Sequence, residues 1–89
     1  MGTTTEIVMY STGWCPYCDR ARALLERKGL PFREVKVDED PAARDAMLAR
    51  SGGRRTVPQI FVGDHHVGGF DDLYALEKAG KLDALTGRA

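Results

Sequence analysis

The sequence predicts an α/β fold: one four-stranded mixed sheet flanked by helices, in the order β-α-β-α-β-β-α, within a single domain spanning residues 1–89. Three observations predict it. The runs Ile7-Val8-Met9-Tyr10 and Ile60-Phe61-Val62 have the length and the β-branched and aromatic content of buried strands. Two longer segments each open on a proline and close at glycine, as helices do. Gly63-Asp64 separates two short apolar runs by the two residues of a hairpin turn.

The elements follow in order. Ile7–Tyr10 is a buried strand broken by Ser11-Thr12-Gly13. A helix then runs from Pro16, which suits a first helical position, to about Lys28. Ala21, Leu24, Leu25 and Lys28 share one of its faces, and Gly29 and Pro31 stop it. Phe32–Val37 alternates apolar and charged residues and reads as a strand with one wet face. Asp40-Pro41 pairs an N-cap acceptor with a first-turn proline, starting a second helix that reaches about Arg50 with Ala43, Ala46 and Met47 inward. Ser51-Gly52-Gly53 ends it. Ile60–Val62 and His65–Val67 form the hairpin, and Gly68-Gly69 opens a third helix with Phe70, Leu73 and Leu76 on one face up to Gly80. Leu82 and Leu85 dock a short last turn. The helical crossover makes the first two strands parallel, and the hairpin makes the last two antiparallel.

Thirteen basic and thirteen acidic side chains give a formal net charge of zero, balanced in each half of the chain, which argues against a nucleic-acid partner. No apolar run approaches the length of a bilayer span, so no membrane association is expected. Met1-Gly2-Thr3-Thr4-Thr5 lacks the basic region of a secretory signal, and the expectation is a cytoplasmic protein. Two cysteines are too few for a disulfide framework or a four-cysteine zinc site. His65 and His66 point to opposite sides of a strand, so they complete no metal site and read as exposed strand residues. No metal is expected.

In a reducing compartment a cysteine pair does chemistry more often than it holds a fold. Cys15-Pro16-Tyr17-Cys18 lies at the junction of first strand and first helix, and a random pair falls at this spacing in roughly 2% of placements. Cys15 falls at the helix N-cap, where the N–H groups of Tyr17 and Cys18 can point to its sulfur and favour the thiolate. Cys15 would attack a disulfide, and Cys18, one turn further and more shielded, would resolve the mixed disulfide. Tyr17 reads equally as a packing aromatic or as a wall beside the thiol; Trp14 reads as cover for apolar surface next to the site.

With Cys15-Pro16-Tyr17-Cys18, Thr56-Val57-Pro58 and Gly68-Gly69-Phe70-Asp71-Asp72 in place, residues 6–85 resemble dithiol glutaredoxins, in particular the bacterial glutaredoxin 3 type. The resemblance implies a thioredoxin-like fold with Pro58 in a cis peptide bond facing the cysteines. It implies a glutathione-dependent thiol–disulfide oxidoreductase acting on protein–glutathione mixed disulfides and protein disulfides. Glutathione would be the co-substrate, with no tightly bound cofactor. It places glutathione against Tyr17, Thr56, Val57 and Pro58, its cysteine antiparallel to Val57. The N–H groups of Phe70 and Asp71, after Gly69, would take the γ-glutamyl carboxylate, and Asp72 the ammonium. Capping of the helix is the other reading of Asp71 and Asp72. Where many family members carry lysine three residues before the first cysteine, this chain has Thr12, and Arg55 is then the candidate for the glycyl carboxylate, ahead of Arg54. Glutathionylated or disulfide-containing proteins, ribonucleotide reductase among them, are the implied partners of a monomer. Two rival readings are a donor reduced by thioredoxin reductase and a module sharing an iron–sulfur cluster between two chains. The Pro16-Tyr17 pair and the Gly69–Asp72 segment weigh against the first. The stiffening Pro16 and the competing Cys18 weigh against the second.

Overall fold

The computed structural model describes residues 6–87; the segment Met1–Thr5, on which the expectation of no leader rests, lies outside them. The chain runs β1 (Ile7–Ser11), α1 (Pro16–Arg27), β2 (Arg33–Lys36), α2 (Pro41–Arg50), β3 (Gln59–Val62), β4 (His65–Gly68), α3 (Phe70–Lys78) and α4 (Leu82–Leu85). The four strands form one mixed sheet in the order β2-β1-β3-β4. β1 is parallel to β2, with Met9 beside Glu34, and antiparallel to β3, with Met9 beside Ile60. β3 and β4 form the expected hairpin, with a register shift at Ile60/Phe61. Among the described residues no helix is long and apolar enough to cross a membrane.

Strand alternation divides the core. Ile7, Met9, Ile60 and Val62 point to one face, where they meet Ala21, Leu24 and Leu25 of α1, Leu73 of α3 and Leu82 of α4. Val8, Tyr10 and Phe61 point to the other and meet Met47 of α2. β1 is central and covered on both faces, so all five of its residues are buried. That is why it reads as an unbroken apolar run rather than an alternating one.

The differences from the sequence reading have local causes. β2 is an edge strand, and its ladder covers Arg33–Lys36, four of the six residues expected. Ala46 is exposed, not inward: it lies 100° around the helix from the buried Met47, on the side away from Leu48, which packs inward instead. Lys28, expected on the inner face of α1, caps that helix, and its ammonium reaches Glu77 of α3 at 2.8 Å and Asp83 of α4 at 3.0 Å. Glu77, followed by Asp83, favours its charged form, and the pair of contacts links the C-terminal helices to α1.

A second ionic link ties α1 to β2. Arg22 forks onto Glu34, Nε to Oε1 at 2.9 Å and Nη2 to Oε2 at 2.6 Å, and also meets Asp19. Ser11 Oγ donates to the same Glu34 carboxylate from β1. The Arg22 guanidinium, more than the Ser11 hydroxyl, holds the Glu34 carboxyl down at about 2 from an ordinary 4.5. A carboxyl depressed by folding stabilises the native state above its unfolded pKa, and this contribution fades as pH falls from about 4.5 to 2. Acid unfolding of the parent should therefore show a loss of roughly 2 kcal/mol over that range that Glu34→Gln does not show. Denaturant titrations at successive pH values check this, and parallel pH profiles for the two proteins would refute it.

Candidate functional site

The site is assembled where β1 ends and α1 begins. Past Ser11 the chain turns through Thr12, Gly13 and Trp14; the Thr12 hydroxyl donates to the Trp14 carbonyl at 3.5 Å, and the Gly13 N–H donates to Asp38 Oδ2 at 3.0 Å. Asp38, from the loop after β2, thus fixes the turn that delivers Cys15. Cys15 is the N-cap of α1 in extended conformation, and its sulfur accepts the Cys18 N–H at 3.1 Å. Of the two donors expected, Cys18 is the one that makes this bond. The interaction strengthens when the sulfur carries negative charge. The Cys15 thiol also faces the Val57 carbonyl at 3.8 Å, across from the cis Val57-Pro58 bond.

Cys18 has no solvent exposure. Burial, reinforced by its hydrogen bond with Cys15, pushes its thiol up to about 12. Both cysteines are free thiols, one half-buried and one buried. The pair is therefore asymmetric as expected from their helical positions, with Cys15 the accessible sulfur.

Beside Cys15 lies a shallow cleft of about 140 Å³. It is lined by Tyr17 of α1, by Thr56, Val57 and Pro58, and by Gly69, Phe70, Asp71 and Asp72 at the start of α3. Three motifs far apart in sequence thus meet in one concavity. Gly69 is the N-cap of α3, and its N–H donates to Asp72 Oδ2 at 3.0 Å, so Asp72 both caps the helix and lines the cleft. Gly68 sits at φ 115°, and a Cβ there would collide with the Asp72 carboxylate, which explains why the first of the paired glycines is needed.

Arg54, not Arg55, lines the cleft. Gly52 and Gly53 adopt left-handed conformations, and the Ser51 hydroxyl accepts the Arg54 N–H at 3.1 Å and donates to the Arg54 carbonyl at 3.2 Å. That turn carries the Arg54 guanidinium toward Gly68, while Arg55 is exposed and lies outside the cleft lining. Tyr17 is 52% exposed, with its ring 6.5 Å from Phe70 and the Arg20 guanidinium 5.2 Å from its centroid. Tyr17 thus both lines the cleft and sits beside Phe70. Trp14 is 87% exposed, standing out from the site rather than packed down as the expected cover. His66 departs from the expectation of a merely exposed residue: it is half-buried, stacked on Phe61 at 4.7 Å and bonded to Gln59 at 2.7 Å. The signal for Gln59 was an amide inside an apolar strand directly after Pro58; nothing local marked Asp38.

The fold and the cysteine site define a thiol–disulfide oxidoreductase, and comparison with known proteins agrees. The glutaredoxin family model matches residues 7–67. A glutaredoxin of Pseudomonas aeruginosa is 61% identical over 89% of this chain and 93% of its own length. Glutaredoxin 3 of Escherichia coli is 52% identical over 90% of this chain and 95% of its own. The crystal structure of a buckwheat glutaredoxin–glutathione complex superposes with a TM-score of 0.81 at 30% identity, covering 93% of this chain and 81% of that one. The chain belongs to the glutaredoxin family, and the sheet with its flanking helices is the thioredoxin-like fold.

Burial keeps the Cys18 thiol protonated near neutral pH, and Cys18 has no exposed surface. Brief treatment of the native reduced protein with iodoacetamide should add one carbamidomethyl group, on Cys15. Peptide mapping reads the outcome, and an adduct on Cys18 before Cys15 would contradict the assignment.

Proposed function

We propose that this protein is a glutathione-dependent oxidoreductase that reduces protein–glutathione mixed disulfides and protein disulfides, with Cys15 as nucleophile and Cys18 as resolving thiol. The observation that carries the reading is the position of Cys15 Sγ: at the start of a helix and facing the carbonyl of Val57, which lines a cleft reaching the first residues of α3. The glutathione complex of the buckwheat relative supports the same ligand.

The cycle balances as two thiol–disulfide exchanges. The Cys15 thiolate attacks the glutathione sulfur of a mixed disulfide; the client–glutathione S–S bond breaks, and the client thiolate leaves and takes a proton. A second glutathione, as thiolate, attacks the glutathionyl sulfur on Cys15. Glutathione disulfide departs and the Cys15 thiolate is restored. With a protein disulfide, Cys18 displaces the client from Cys15, and two glutathione molecules reduce the resulting Cys15–Cys18 disulfide.

Glutathione carries two carboxylates and one ammonium, and the cleft offers complementary groups. Val57 presents backbone for the cysteinyl residue, with Thr56, Pro58 and Tyr17 around it. The first-turn N–H groups of Phe70 and Asp71, following Gly69, suit the γ-glutamyl carboxylate, and Asp72 suits its ammonium. Arg54, whose guanidinium lies beside Gly68, stands at this same end and suits the γ-glutamyl carboxylate as a further cation. The proposal extends to a monomer in the cytoplasm, serving glutathionylated proteins and disulfide enzymes such as ribonucleotide reductase.

In a glutathione-coupled assay, Cys15→Ser should abolish turnover, whereas Cys18→Ser should keep deglutathionylation and lose reduction of protein disulfides. Equal activity of the two variants would overturn the roles. Arg54→Ala should raise KM for a glutathionylated peptide by about two- to fivefold, as expected for an exposed ion pair, and Arg55→Ala should change it less. The reverse ranking of the two arginines would remove Arg54 from the site.

A further inference from the structure

Gln59 is a polar side chain with no solvent exposure, the first residue of β3 and the neighbour of Pro58. Its amide is fully committed. Nε2 donates to the Thr56 carbonyl at 2.9 Å and to the Thr56 hydroxyl at 3.1 Å, so both N–H bonds point back across Pro58. Oε1 therefore faces the other way, where His66 Nε2 lies at 2.7 Å. A carboxamide oxygen only accepts, so His66 must donate, and the ring is in its Nε2–H form. The ring is itself held in place: it stacks on Phe61 at 4.7 Å, and the Arg50 guanidinium lies 4.1 Å from the Phe61 centroid. Burial, followed by the nearby Arg54, disfavours a charged imidazole. Arg50 and His65 act in the same direction, and Asp72 opposes them.

We propose that His66 is a positioning residue for substrate binding: by donating to Gln59 it fixes the amide that holds Thr56, and so sets the Thr56–Val57–Pro58 edge against Cys15. The relay runs from β4 through β3 to the segment whose Val57 carbonyl faces the Cys15 thiol. Without the His66 donor, Oε1 of a fully buried amide has lost the partner that orients it, and the amide can turn and withdraw its N–H from the Thr56 carbonyl. The backbone edge then loses its anchor while the cysteines keep theirs. The consequence falls on binding along that edge, not on the sulfur chemistry. The binding readout rests on the glutathione-dependent reading above; the hydrogen-bond relay does not.

Two measurements test it. Long-range ¹H–¹⁵N NMR of the imidazole in the unaltered protein at pH 8 should show Nε2 protonated and Nδ1 bare; an Nδ1–H tautomer overturns the relay, whatever the enzyme's substrate. In the coupled assay, His66→Leu should raise KM for a glutathionylated peptide by about three- to tenfold, the value of one hydrogen bond, with kcat within about twofold. His66→Gln, whose amide can donate from the same reach, should return KM to within about twofold of the parent. An unchanged KM in His66→Leu, or equal impairment in both variants, overturns the positioning role. Should His66→Leu fail to fold, the tautomer decides. A parent protein without glutathione-coupled turnover would overturn the proposed function and leave the tautomer to judge the relay.

Discussion

An α-helix begins with N–H groups that have no partner, and here one of them is satisfied by sulfur. The Cys18 N–H donates to Cys15 Sγ, so the atom that starts α1 is also the accessible thiol of the site. Whatever fixes the helix start therefore fixes that sulfur: β1 delivers the chain from the centre of the sheet, Asp38 holds Gly13, and Pro16 sets the first helical residue. The unequal environments of the two cysteines follow from the same geometry. The N-cap lies outside the helix barrel, whereas Cys18 shares the inward face with Ala21 and Leu25 and is buried with them.

Buried polar groups mark the boundaries of this arrangement. Ser11 ends β1 just before the Thr12–Trp14 turn, and Gln59 begins β3 just after Pro58. Each has its partners, Glu34 for one and Thr56 with His66 for the other. Leaving such a group unpaired costs about 1–3 kcal/mol, so these residues penalise the wrong register. A one-residue slip of β3 would turn Gln59 toward the apolar face occupied by Ile60 and Val62, among Leu25, Leu73 and Leu82. The apolar core makes the sheet stable; the two polar positions determine where its ladders stop and the site loops begin.

Most of the fold was legible because each element carried its own local signal. Pro16, Asp40-Pro41, Gly29 and Gly63-Asp64 all stand at the ends of the elements they were read to delimit. The crossover and the hairpin supplied two strand pairings, but the third, β1 against β3, joins segments separated by two helices and has no local signature. The same limit applies at the site. Cys15, Cys18 and the α3 start were readable as motifs at element junctions. Asp38 and His66 were not, because what they do depends on which side chain lies opposite across the fold. Arg54 and Arg55 show the limit most sharply. Adjacent charges in a glycine-flanked loop differ in placement only through backbone conformation, here set by the left-handed Gly52 and Gly53 and the Ser51 bracket.

The high pKa of Cys18 bears on how the proposed cycle divides between its two routes. Burial is the largest cause. The hydrogen bond and charge contributed by the Cys15 thiol also raise Cys18, and these change once Cys15 enters a disulfide. Internal attack by Cys18 thus starts from a thiol that releases its proton reluctantly, although its effective concentration beside Cys15 is high. A second glutathione has an ordinary thiol but must arrive from solution and occupy the cleft. In the proposed cycle, burial of Cys18 would therefore weigh against closure of the internal disulfide and in favour of glutathione. The two cysteines are thus unequally placed, Cys15 half-buried at the helix start and Cys18 fully buried in the core.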